Sequence, residues 1–115
     1  MYVAMNRFRV KPEAADDFEA MWLARESYLD QLNGFVSFQL LRGAPKEDHV
    51  LFSSYTLWAT KQDFEAWTKS PQFAASHKRA SSSDRPPMTL GHPEFEGFDV
   101  VQSIVAPDSR PGKAA

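Results

Sequence analysis

The chain contains no cysteine, which excludes disulfides, thiolate zinc sites, iron–sulfur clusters and a cysteine nucleophile. It has no apolar run approaching the roughly 18 residues that a membrane span requires, and its N-terminus lacks the basic-then-apolar order of a signal peptide. We therefore expect a cytoplasmic protein with no membrane partner. Charge of either sign is in little excess: the net value is −2 and the pI is near 5.9. That leaves no polybasic footprint for nucleic acid. No glycine-rich nucleotide fingerprint is present either. The imidazole ligands or bases available are three histidines, His49, His77 and His92.

At 115 residues the chain fits one domain with a single two-layer core. We place that domain at residues 1–105, with a polar Pro/Gly/Lys tail at 106–115 expected to be loose. Tyr2 to Val10 alternates as a strand, Tyr2, Ala4, Asn6, Phe8 and Val10 falling on one face. Lys11-Pro12-Glu13 starts a helix that should run to about Gln31 and stop at Asn33-Gly34, with an apolar stripe of Phe18, Met21, Trp22, Leu29 and Leu32. Phe35 to Arg42 reads as a second strand, 43–48 as a turn, and Val50 to Trp58 as a third strand. Thr60 followed by Asp63 is a capping signal for a helix carrying Phe64 and Trp67. Ser70-Pro71 ends it and starts a short helix from Gln72 to about Arg79, on which Phe73 and His77 share a face. Residues 80–93 form a loop, and Phe95 to Ile104 is the fourth strand.

The order β-α-β-β-α-β predicts an α+β, ferredoxin-like fold with an antiparallel sheet and helices on one face. The opposite face would still carry Val3, Met5, Leu51, Tyr55, Leu57 and Val100, too much apolar surface for a solvated side. We expect a homodimer whose sheets pack face to face.

Four residues break their local patterns. Asn6 lies on the apolar face of the first strand, where its carboxamide must be satisfied by neighbouring backbone or serve a ligand. Arg25 falls on or beside the first helix's apolar stripe, where it would snorkel, pair with Glu26 or Asp30, or clamp a ligand carboxylate. Trp67 taken alone is compatible with simple core. His77 taken alone is compatible with a surface or helix-end histidine, while His49 and His92 fall in a turn and a loop and are expected to face solvent.

Taken together these residues are more specific. Asn6-Arg7-Phe8, Arg25 after Trp22-Leu23-Ala24, Gly34-Phe35, and the run from Trp58 to Lys78 containing Trp67 and His77 resemble the IsdG-type haem-degrading monooxygenases of the antibiotic biosynthesis monooxygenase superfamily. The resemblance covers essentially residues 2–101 and includes the full Asn/Trp/His triad.

The resemblance implies a dimeric α/β barrel and a haem oxygenase for which haem is both substrate and cofactor. His77 would be the axial ligand of the haem iron through a neutral imidazole nitrogen. Asn6 would donate to the distal oxygen ligand and steer it toward a meso carbon, and Trp67 would press the macrocycle out of plane. Trp22 and Phe73 would wall the pocket, and Arg25 would reach a propionate or the distal polar edge. Dioxygen and an external reductant are required, the electrons coming from a separate reductase or a small reductant. Two other readings stand beside it: a cofactor-free monooxygenase acting on an anthrone-type polyphenol with His77 as base, and a haem carrier without turnover.

Overall fold

A computed structural model of the chain describes residues 1–24, 29–71, 73–74 and 87–107. Arg25 and His77 lie outside the described residues.

Four strands, β1 (Tyr2–Val10), β2 (Phe35–Pro45), β3 (Val50–Trp58) and β4 (Glu94–Asp99), form one antiparallel sheet in the order β2-β3-β1-β4. Helices α1 (Ala15–Ala24) and α2 (Lys61–Thr68) follow β1 and β3. This is the ferredoxin-like arrangement.

Pairing of Tyr2 with Trp58, Ala4 with Thr56, Asn6 with Ser54, Phe8 with Phe52 and Val10 with Val50 places these ten residues on one face. That is the face the helices cover. Two aromatic clusters fill it. In one, Val10, Val50 and Phe52 pack with Phe18 of α1, and Phe8 and Trp22 lean on them. In the other, Tyr2, Ala4 and Trp58 are joined by Phe64 and Trp67 of α2. The opposite face carries Val3, Met5, Leu51, Tyr55 and Leu57 as expected, together with Leu41 and Phe98, which are 43% and 38% exposed.

α2 begins as its sequence requires: the Thr60 hydroxyl accepts from the Asp63 backbone N–H at 3.1 Å and donates to the Asp63 carboxylate at 2.8 Å. Gly34, at φ +79°, passes directly beneath that carboxylate, and a Cβ there would overlap it. Its carbonyl accepts from Ala59 N at 2.7 Å, tying the start of β2 to the α2 cap.

Three boundaries differ from expectation. The first helix is a 3-10 turn at Pro12–Ala14, then α1 to Ala24, with a further 3-10 turn at Leu29–Gln31. β2 continues through the expected turn to Pro45, which pairs with Val50 across a register shift after Arg42. Proline is tolerated there because β2 is an edge strand. β4 stops at Asp99 rather than Ile104, because Asp99 is opposite Tyr2 and β1 offers nothing further to pair with. The last backbone bond is Val100 N to Met1 O at 2.9 Å. Beyond it Val101, Ile104 and Val105 are 95%, 84% and 64% exposed.

No helix among the described residues is long and apolar enough to cross a membrane.

Candidate functional site

Asn6 is held on the helix-covered face by the parity of β1, between Ala4 of one aromatic cluster and Phe8 of the other. Directly across from it on β3 is Ser54, followed on the same face by Thr56 opposite Ala4. Asn6, Ser54, Thr56 and Ala4 are small or polar, whereas Phe52 and Trp58 close the two ends of the row. The centre of that face therefore carries small and polar side chains between two aromatic clusters, with Ser54 and Thr56 buried and Asn6 half-buried. The Asn6 carboxamide is half-buried and makes no hydrogen bond to any described residue; its backbone carbonyl accepts from the Ser53 hydroxyl at 3.2 Å. Partly desolvated and without a partner among the described residues, the carboxamide is left to solvent or to a ligand.

The clusters are ordered by ring contacts. On the α1 side, Trp22 stacks on Phe38 at 5.9 Å and 17° and meets Phe8 at 5.9 Å nearly edge-on. On the α2 side, Trp67 lies 5.7 Å from Trp58 and 6.2 Å from Phe64. Phe73 meets Trp67 edge-on at 4.7 Å and 90°. That contact follows from Ser70, whose hydroxyl donates to Trp67 O at 2.6 Å and accepts from Phe73 N at 3.1 Å, turning the chain back at the end of α2. Trp67 is thus braced on three sides and remains half-buried.

The structure therefore puts Asn6, Trp22, Trp67 and Phe73 on one side of the sheet, with Asn6 between the cluster of Trp22 and the cluster of Trp67. Arg25 and His77 would have to complete the site from outside the described residues. Ser54 and Thr56 were not singled out from sequence. Their signal was the strand parity that puts two hydroxyls between Phe52 and Trp58. His92 is exposed as expected, but His49 is half-buried, its Nδ1 2.7 Å from Asp48. The hydrogen bond with His49 holds the Asp48 carboxyl below its usual value. This pair sits in the β2–β3 turn, away from Asn6. A groove of about 740 Å³ lies elsewhere too, along the other flank of α1 between Lys11, Asp17, Met21 and Met88.

A half-exposed carboxamide between two aromatic clusters is compatible with a flat, mostly apolar ligand that has a polar centre, such as a haem. Comparison with known proteins gives the family. Residues 1–79 match the model of the family described as antibiotic biosynthesis monooxygenase. A heme-degrading monooxygenase of Shouchella clausii is 35% identical over 79 residues, 68% of this chain and 72% of that protein. A staphylobilin-producing heme oxygenase of Staphylococcus haemolyticus is 30% identical over 89 residues, 75% of this chain and 85% of its own length. Among solved structures, the heme-degrader MhuD of Mycobacterium tuberculosis, with two hemes bound in its active site, superposes with a TM-score of 0.70 at 25% identity, covering 91% of this chain and 100% of that one.

Proposed function

This chain belongs to the antibiotic biosynthesis monooxygenase family, and from that premise we propose that it is a haem-degrading monooxygenase, opening the porphyrin ring with dioxygen and external electrons and releasing iron. The observation that carries the reading is the unengaged Asn6 carboxamide between two aromatic clusters. Relatives named for haem degradation support the substrate.

Bound haem supplies the iron at which dioxygen is activated and is itself the molecule oxidised. The chain's own residues bind and orient. His77 is assigned to hold the iron through an imidazole nitrogen, and Arg25 to neutralise a propionate. Asn6, on the central strand β1, would offer amide hydrogens to a polar group bound with the haem. Trp67, braced by Trp58, Phe64 and Phe73, would present a fixed wall against a bound macrocycle. Trp22 and Phe38 exclude water on the α1 side.

We assign the working unit as a homodimer formed through the open sheet face. Val101, Ile104 and Val105 support this, since three branched apolar side chains exposed on a segment outside the sheet call for a partner surface. The apolar residues of that face on a second copy are a matching one.

The test is to add haem to the purified apoprotein, supply ascorbate with catalase in air, and follow the Soret band alongside free iron captured by a ferrous chelator. Loss of the band with matching iron release supports a haem oxygenase. A band that forms and persists indicates a carrier. No band, with turnover of an anthrone, indicates a cofactor-free monooxygenase.

A further inference from the structure

Ser54 and Thr56 are the buried polar residues among those described, 5% and 8% exposed, on a strand face otherwise made of Val50, Phe52 and Trp58. Alanine at 54 and valine at 56 would occupy nearly the same space, so packing alone does not call for hydroxyls there. Satisfaction by the chain is no reason either: neither hydroxyl bonds a described residue. Ser53, on the opposite face, does the reverse and donates to Asn6 O at 3.2 Å.

We propose that Ser54 is a second hydrogen-bonding residue of the haem site: with Asn6 it holds one small polar ligand, a water or an oxygen ligand, on the ring's distal side. This rests on the haem reading above. Ser54 is the direct cross-strand partner of Asn6 on the same face, and side chains so opposed stand about 4.5–5.5 Å apart at Cβ. The two groups make no hydrogen bond to each other, and their separation suits a single oxygen atom bridging them. The Asn6 amide and the Ser54 hydroxyl then donate to the same atom from two directions, which fixes its position along the sheet as one donor alone would not. Leu40, beside Ser54 on β2, and Phe95, beside Asn6 on β4, offer no competing polar group on either flank. The pair therefore selects which edge of the ring is oxidised.

The experiment uses the ferric haem complexes of wild type, Ser54→Ala and Ser54→Thr, titrated with sodium azide, together with the ratio of tetrapyrrole isomers after turnover. Ser54→Ala is expected to keep its Soret band, to bind azide about threefold to tenfold more weakly, the value of one hydrogen bond, and to change the isomer ratio. Ser54→Thr restores both. A Ser54→Ala complex with azide affinity within twofold of wild type and the same isomers, even with an altered Tm, overturns the role and leaves the haem reading standing. A wild type that forms no Soret band removes the haem reading and this role together.

Discussion

Replacing Asn6 with leucine should stabilise the apoprotein while abolishing its chemistry. The carboxamide is half-buried on the helix-covered face and makes no bond to any described residue. A fully buried unsatisfied amide costs about 1–3 kcal/mol; at half burial we take roughly half of that, about 0.5–1.5 kcal/mol. Leucine has the same branching and number of side-chain heavy atoms, adds apolar contact with Ala4 and Phe8, and suits a strand better. The net expectation is about 1–2 kcal/mol of added stability. With an unfolding entropy of about 2.1 cal/mol/K per residue, 115 residues convert each kcal/mol to about 4 °C, so the Tm should rise by about 4–8 °C. Calorimetry on apoprotein at one fixed concentration reads this without interference from self-association. The same variant should still show a Soret band with haem and should lose turnover. A Tm that falls by several degrees would mean that the amide is bonded and structural, and would remove Asn6 from the site.

Gly34→Ala should lower stability by about 2–3 kcal/mol, since it forces a left-handed φ on alanine and drives a Cβ into the Asp63 carboxylate. Thr60→Ala should cost about 1 kcal/mol, and the double variant should cost less than the sum because both act through Asp63; denaturant melts decide, and simple additivity refutes the shared cap. Trp67→Phe should bind haem and slow ring opening about tenfold, equal to about 1.4 kcal/mol of barrier; an unchanged rate with an unchanged spectrum refutes the pressing role. Ile104→Asp with Val105→Asp should convert a dimer to monomer in light scattering at micromolar concentration, and an unaltered mass would place any dimer contact elsewhere.

The fold was legible wherever one strong local signal coincided with one tertiary contact. Val50 to Trp58 alternates cleanly because its two faces meet different surroundings, and Thr60 with Asp63 marks α2 because the cap is wholly local. What depended on a distant strand was not legible. Nothing within residues 95–104 says that pairing ends at Asp99; that is set by β1 beginning at Tyr2. Nor does the stretch after Arg42 announce that β2 can absorb a register shift and run on to Pro45. For the site, Asn6 and Trp67 stood out because each is chemically pointed. Ser54 did not, because serine is common in strands and only its register opposite Asn6 gives it meaning. Arg25 and His77, expected from the family resemblance, lie outside the described residues.

The central claim is that dioxygen is inserted into haem, and one measurement tests it most directly. A single turnover of the haem complex under ¹⁸O₂ with ascorbate and catalase, followed by mass spectrometry of the extracted pigment, should yield a linear tetrapyrrole carrying ¹⁸O. Recovery of intact protoporphyrin, or of an opened ring whose oxygen is entirely ¹⁶O, would contradict it.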